Sequence, residues 1–444
     1  MSNTIAALAS GRAKSGVAVI RISGEDALKV AKKIFSFKEN VKAVTPKMMY
    51  FGDINAGSFT DGGFLVYFKA PHSYTGEDVA EIHCHGGLSV VDGILNCVYQ
   101  KGALPAGRGE FTKRAFLNGK FSLSSAEGLI DLINAESLAE IKSAQSLMRE
   151  GLNGKINALL NRLTFLLAKI DADIDFPEEG LYKLERESID NEINEIYDSL
   201  KKLAESYKTG QLIKNGVKIA IIGKPNVGKS SLLNAILNTE KAIVSDIPGT
   251  TRDVVEGSIE YGGLKYNFYD TAGLRESGDI IEQKGIERTK KAIEDCDLIY
   301  AVLDGSVKLS ALDKKILKDT ENLNRIVIVN KRDILCGGGF EAFADIFVSA
   351  KNSDNIDWLL TLTKQKTANI DFSQNFDYIT NQRHYICINN ALNCLENATG
   401  IKKQPLEILA NILKNAWDYL GEITGKTVNE DIVSMIFEKF CVGK

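Results

Sequence analysis

The octapeptide Gly223-Lys224-Pro225-Asn226-Val227-Gly228-Lys229-Ser230 constrains this chain more than any other feature. An apolar run at 217–222 leads into it, and Ser231-Leu232-Leu233-Asn234-Ala235-Ile236-Leu237 leads out with helical spacing. The pattern GxxxxGK[ST] therefore stands between a buried strand and a helix, which is the βα unit of a parallel sheet. Glycines let the backbone wrap closely around an anion. The loop N–H groups and the helix N-terminus present partial positive charge to it. Lys229 is the residue expected to pair with β- and γ-phosphates, and the Ser230 hydroxyl to ligate Mg²⁺. The competing reading, a glycine-rich turn without a ligand, has to explain strand, spacing, Lys and Ser together.

Three further motifs follow in order. Asp270-Thr271-Ala272-Gly273 ends the strand expected at 264–269. A carboxylate there can hold a magnesium shell through water, and the Gly273 N–H can reach a γ-phosphate. Asn330-Lys331-Arg332-Asp333 follows the apolar run 326–329. Guanine offers two donors on one edge, and the Asp333 carboxylate can accept both, whereas adenine would leave it unpaired. Ser349-Ala350-Lys351 ends the next strand and is placed to support the base through its backbone. Gly249-Thr250-Thr251-Arg252-Asp253 lies where a mobile switch belongs, and Thr251 is assigned to complete Mg²⁺ coordination. The set implies a guanine-nucleotide site. Each motif alone is a plain strand-to-loop turn; their order is what specifies them.

Leu274 occupies the position after DxxG where Ras-type enzymes carry a water-orienting glutamine. Leucine cannot orient water, so hydrolysis is negligible or another group serves. Arg275, Glu282 and Glu287 lie just downstream, and the residues alone do not choose among them.

Strand–helix alternation around the motifs, with strands at 217–222, 264–269, 298–304, 326–330 and 346–349, predicts a parallel sheet flanked by helices. Residues 1–120 also look mixed α/β, with strands at 17–22, 63–68 and 79–84 and helices at 25–35 and 88–99. Residues 122–207 change to long amphipathic helices: Leu123, Ala126, Leu129, Ile130 and Ile133 recur at helical spacing, as do Leu159, Leu163, Leu166, Leu167 and Ile170. Asp175-Phe176-Pro177-Glu178-Glu179-Gly180 reads as the turn between two of them. Helical spacing resumes from 380. The economical arrangement is an α/β domain inserted into a helical one, since a domain's termini often lie close together. The expected domains are 1–120, an α+β domain; 121–210 with 371–444, all helical; and 215–370, the inserted nucleotide domain.

With 44% hydrophobic and 25% charged residues the chain can build sizeable cores. A net charge of −4 gives no overall attraction to phosphate, so a nucleic-acid partner requires a local basic patch. No apolar run reaches the roughly 18 residues of a membrane span. The N-terminus lacks a basic-then-apolar signal pattern. The seven cysteines form no CxxC pair, which suits a reducing cytoplasm. His83-Cys84-His85 invites a metal reading, but on a strand 83 and 85 share one face while 84 faces away. Gly151-Leu152-Asn153-Gly154 resembles the GxxG of a KH module but lacks basic and strand context; a helix irregularity is expected there.

The full pattern resembles the tRNA-modification GTPase MnmE (TrmE) family. Matches outside the nucleotide motifs are Val19-Ile20-Arg21-Ile22-Ser23-Gly24, Thr75-Gly76-Glu77-Asp78, Arg114-Ala115-Phe116-Leu117-Asn118-Gly119-Lys120, Asp175-Phe176-Pro177 and Cys441-Val442-Gly443-Lys444. The resemblance covers essentially the whole chain. It implies a cytoplasmic homodimer: an N-terminal domain that binds tetrahydrofolate (5,10-methylene or 5-formyl) and dimerises, a helical domain, and an inserted Ras-like GTPase domain. It implies action with the FAD-containing flavoprotein MnmG on C5 of the wobble uridine of certain tRNAs, with glycine or ammonia as amine donor. It also implies K⁺ beside the phosphates, supplying charge that an arginine finger brings elsewhere. The matching K⁺ positions are Asn226, Ser245, Ile247 and Thr250, several through backbone carbonyls; relatives often carry Thr where this chain has Ser245. The segment Ser245-Asp246-Ile247-Pro248-Gly249-Thr250 then joins Val227, Gly228 and Ser231 in the GTP contact set. Glu282 matches the family's water-orienting glutamate; read alone it is a solvated helix-start carboxylate.

Folate contacts carry over to Arg21, Glu81, Lys120 and Lys444. Cations suit a glutamate-tailed ligand, and a carboxylate suits the amino-pyrimidine edge of a pterin. Taken singly, Glu81 and Lys120 read as surface charges. For Cys441 two readings stand side by side: a thiol near the folate with a part in catalysis, or a small apolar residue packing a terminal helix. The competing function is a ribosome-assembly GTPase of the Era or Der sort, an RNA-binding switch. It predicts a KH-type domain and no folate; a scaffold without chemistry of its own predicts neither.

Overall fold

The computed structural model describes residues 3–175, 186–239, 243–244, 257–270, 296–337, 339–367, 376–400 and 405–444. The chain packs into two compact units, one of 1–130, 147–189 and 394–444, the other of 131–146 and 190–393.

The first unit begins with β1 (Ile5–Leu8), β2 (Ser15–Ser23), α1 (Ala27–Lys32), β3 (Phe35–Phe37), β4 (Met49–Asn55), β5 (Thr60–Phe68), β6 (Val79–Gly86), α2 (Leu88–Gln100), β7 (Leu104–Pro105) and α3 (Glu110–Leu117). Its sheet has the order β3-β4-β5-β6-β2-β1-β7, with β1 and β7 parallel and the other pairs antiparallel. Period-2 alternation sets the faces. Ala18, Ile20 and Ile22 of β2, with Ala80, Ile82 and Cys84 of β6, are buried in a core with Val91, Ile94 and Val98 of α2. The opposite face carries Arg21 directly across from Glu81, and Val19 across from His83. The helix expected over 25–35 is shorter, because Ile34 and Phe35 turn into the core as the chain enters β3.

Long helices follow: α4 (Leu123–Asn134), α5 (Leu138–Met148), α6 (Gly151–Asp175), α7 (Arg186–Glu205) and α8 (Tyr207–Asn215). Gly151–Gly154 is the first turn of α6, with Gly154 N–H bonded to the Glu150 carbonyl, so the expected irregularity is a helix start. The turn expected at 175–180 lies outside the described residues beyond Asp175.

The second sheet is built from β8 (Val217–Ile222), then, past α9 (Lys229–Leu237), β9 (Ile243–Val244), β10 (Gly257–Tyr261), β11 (Leu264–Asp270), β12 (Leu298–Asp304), β13 (Arg325–Asn330) and β14 (Ile346–Phe347). Its order is β14-β13-β12-β8-β11-β10-β9. The first five strands are parallel; β10 and β9 pair antiparallel at one edge. The wholly parallel sheet expected from sequence is therefore corrected to a mixed one. The tight turn Gly262-Gly263, both at positive φ (58° and 86°), folds β11 back on β10, a two-residue connection that a helix-crossover reading does not contain. The strand expected at 346–349 is only two residues long, and Ser349 instead bridges Asp354. Every residue of β12 is buried, as expected of a central strand covered on both faces. Helices α10 (Ala311–Asp319) and α11 (Ile356–Thr367) belong to this unit. After α12 (Gln382–Gly400) the chain ends in α13 (Leu406–Thr424) and α14 (Glu430–Phe437). Within the first unit α13 lies along α6, with Trp417 Nε1 donating to Thr164 Oγ1 at 3.0 Å.

Candidate functional site

Strand β8 ends at Ile222, and α9 starts at Lys229; the octapeptide is the turn between them. Asn226 and Gly228 both have positive φ (64° and 93°), and a Cβ on Gly228 would strike the Asn330 amide. A glycine is thus required where the loop passes under the Asn330 side chain. Lys229 is buried, and its ammonium donates to the carbonyls of Gly223 and Lys224, each at 3.1 Å. Asn226 and Ser230 are exposed. Strand register sets Asp270 beside Ile221, so the end of β11 lies next to the start of the loop.

Asn330 ties the loops together. Its Nδ2 donates to the Val227 carbonyl at 2.9 Å, and its Oδ1 accepts from the Ala350 N–H at 3.0 Å. One buried amide thereby fixes the spacing between the phosphate loop and the Ser349-Ala350-Lys351 loop. Lys331 adopts a left-handed φ of 62°, uncommon for a side chain of this kind, and its ammonium is held by Asp304 at 2.7 Å. Burial pushes the Asp304 carboxyl up, but the Lys331 and Ser306 donors outweigh it and hold it below the usual carboxylate range. The Ser349 hydroxyl donates to Asp333 at 2.7 Å. That bond, with Lys351 and Lys331 nearby, keeps the exposed Asp333 carboxyl below its ordinary value, ionised and open to a pair of donors. This arrangement suits guanine.

The structure brings together Val227, Lys229, Asn330, Lys331, Asp333, Ser349 and Ala350. Ser245, Asp246, Ile247, Pro248, Gly249, Thr250, Thr251, Thr271, Ala272, Gly273, Leu274 and Glu282 lie outside the described residues. For Mg²⁺ the described candidate is Ser230, an exposed hydroxyl in the first turn of α9; for K⁺ it is Asn226, an exposed amide on the loop. Both donor types fit hard cations. Sequence reading missed Asp304, because its partner Lys331 is 27 residues away, and the pair formed by Lys224 and Asp313.

Among the expected folate residues, Arg21 and Glu81 are joined by a 2.8 Å ion pair across β2 and β6. The Arg21 guanidinium lies 4.8 Å from the Tyr74 ring centroid. Burial raises the Glu81 carboxyl, and bonds from His83 and Arg21 outweigh it to leave it lowered. A carboxylate and a guanidinium beside a half-buried aromatic ring suit a flat, anionic ligand. Both residues are largely covered, so the reading of Glu81 as a surface charge gives way to a cross-strand pair. Lys120 donates to the Pro71 carbonyl at 3.0 Å. Val442 bridges Arg108, and a Cβ on Gly443 would strike the Leu8 carbonyl, so the terminal tetrapeptide lies along the end of β1. Cys441 is exposed, which removes the apolar-packing reading. His83 and His85 face Glu81 and Asp61 respectively, and no cluster of three metal-binding side chains occurs among the described residues.

A strand–loop–helix phosphate cradle, joined through Asn330 to a carboxylate placed for guanine, defines a P-loop GTP hydrolase. Residues 123–441 match the MnmE helical domain, and residues 4–120 match the GTP-binding protein TrmE N-terminus. The tRNA modification GTPase MnmE of Clostridioides difficile is 38% identical over 457 residues, covering 100% of both chains. That of Finegoldia magna is 39% identical over 455 residues, again covering 100% of both. The chain belongs to the MnmE family of GTPases. Among solved structures, Aquifex aeolicus Era bound to GDP.AlF4⁻ is 26% identical and covers 43% of this chain and 69% of that one, at a TM-score of 0.28. Among the described residues, no helix is long and apolar enough to cross a membrane.

Proposed function

We propose that this chain is a K⁺-dependent GTPase that acts with the flavoprotein MnmG to install the carboxymethylaminomethyl or aminomethyl group at C5 of the wobble uridine of certain tRNAs. The observation that carries the reading is full-length similarity to proteins named for tRNA modification, over all three expected domains (1–120; 121–210 with 371–444; 215–370). An Era- or Der-like ribosome-assembly switch is not favoured, because the match spans the N-terminal domain and the terminal helices as well.

In this reading Ser230 and Thr251 hold Mg²⁺. Asn226, Ser245, Ile247 and Thr250 hold K⁺, which supplies positive charge to the phosphates. Lys229, held by the Gly223 and Lys224 carbonyls, donates as well to the β- and γ-phosphates, and Glu282 orients the attacking water where Leu274 cannot. Arg21, Glu81, Lys120 and Lys444 position a tetrahydrofolate, with Cys441 close to the reacting carbon. The protein works as a cytoplasmic homodimer.

Two readouts test this. Mass analysis of wobble nucleosides in a strain lacking the protein should show the C5 group gone and restored by the wild-type chain. Steady-state hydrolysis should be much faster in K⁺ than in Na⁺ at equal ionic strength, and Glu282→Ala should slow it with little change in GTP affinity. An unchanged nucleoside profile would sink the tRNA reading; equal rates in the two salts would sink the potassium site.

A further inference from the structure

Lys224 sits between the first glycine of the phosphate loop and Pro225, and its ammonium is taken up by a neighbouring helix. It donates to Asp313 Oδ2 at 2.9 Å, and the two side chains are 17% and 2% exposed. Asp313 lies in the first turn of α10, where Ser310 is the N-cap. The same Oδ2 accepts from the Ser310 N–H at 2.9 Å and the Ser310 hydroxyl at 2.7 Å, while Oδ1 is buried without a hydrogen-bond partner. Three donors therefore converge on one carboxylate oxygen at a helix N-terminus, a place where negative charge is stabilised. Helix α10 follows β12, an interior strand of the sheet.

The backbone of Lys224 has a second tie. Its carbonyl accepts from the Lys229 ammonium at 3.1 Å. One residue thus grips the α10 cap with its side chain and the phosphate-binding lysine with its main chain. Two residues further on stands Asn226, in the left-handed conformation.

We infer that Lys224 and Asp313 form a positioning pair for GTP hydrolysis. They hold the first half of the phosphate loop against α10, so that Lys229 and Asn226 meet the phosphates at the geometry of the transition state. The inference rests on the phosphate-loop reading of this site. Ground-state binding of GTP draws on many loop N–H groups and on the guanine contacts, none of which involves the Lys224 side chain. Loss of the pair therefore falls on the chemical step, where a displacement of about 1 Å can cost up to about a hundredfold.

The test uses the full chain with Mg²⁺ and K⁺, and measures kcat, the Kd for GTP and GDP, and Tm. Lys224→Met should lower kcat about tenfold or more while GTP affinity stays within about threefold. Lys224→Arg, which keeps the cation and its reach, should restore kcat to within about threefold. Asp313→Ala removes the acceptor for Lys224 together with the Ser310 cap bonds, so Tm falls as well, and its kcat should match that of Lys224→Met. The double variant should be no slower than the slower single variant, because both lose the same contact. Wild-type kcat in the single variants, costs that multiply in the double variant, or failure of the arginine variant would overturn the pair. So would nucleotide affinity falling in step with Tm, which marks a structural role only. A wild-type chain that does not turn over GTP overturns the site reading itself, and the control in every assay reveals it.

Discussion

Asn330→Ala removes one side chain and orphans two buried groups, the Val227 carbonyl and the Ala350 N–H. Asn330 is 2% exposed, so water cannot replace it without local opening. An unsatisfied buried donor or acceptor costs about 1–3 kcal/mol, which puts the pair at about 2–6 kcal/mol. The nucleotide-free chain can relieve part of this by letting the two loops separate. The bound chain cannot, because phosphates and base clamp both loops at one spacing. If about half the cost survives in the bound state, roughly 2 kcal/mol appears as lost affinity, or about thirtyfold in Kd. Titration with a fluorescent GDP analogue and stopped-flow release measure it directly. GDP and GTP share base and loop, so both should weaken by the same factor. Asn330→Asp serves as the second variant. Its carboxylate can accept from Ala350 but cannot donate to Val227, so it should bind no better than the alanine variant. GDP affinity within about threefold of wild type, with a lowered Tm, would refute the reasoning: the bridge would then support the fold and not the ligand.

Two further outcomes are expected. Asp333→Asn exchanges one acceptor for a donor against the guanine amine, so GTP binding should weaken by about ten- to a hundredfold while xanthosine triphosphate, with a carbonyl there, gains; unchanged preference in a competition assay would remove Asp333 from base reading. Glu81 has a carboxyl lowered on folding, so the unfolded state binds more protons at acid pH, and the stability from the Arg21 pair is present above the ordinary carboxylate range and lost as pH falls through the lowered folded value. The stability gap between wild type and Glu81→Gln in urea should therefore shrink on acidification; a gap independent of pH would mean that the charge is irrelevant.

The nucleotide half was legible because its motifs end mostly apolar segments, and such segments become strands inside the sheet: 217–222 and 298–304 match β8 and β12 residue for residue. The edge was not. Gly257–Tyr261 is short, and its pairing is fixed by the backbone of Gly262-Gly263 and not by an apolar pattern. At the site, residue types announced Lys229 and Asp333, since phosphate and guanine dictate them. Lys224 gave no such signal. Its partner Asp313 is 89 residues away and looks like any first-turn acid, so only the folded chain unites them. The Arg21–Glu81 pair is of the same kind, 60 residues apart and aligned by strand register.

The tetrapeptide beside β1 carries a consequence for timing. A ribosome delivers Leu8 and Arg108 long before it delivers Val442 and Gly443, and the rim formed by the first two is completed only by the last. During synthesis the Gly109 N–H lacks the Cys441 carbonyl that it meets in the finished protein. A chain without Val442 and Gly443 would therefore leave the rim beside β1 open, however well the N-terminal sheet had folded. The seam is closed by a segment far along the chain from the strand it covers, so it forms only after everything between them has been made.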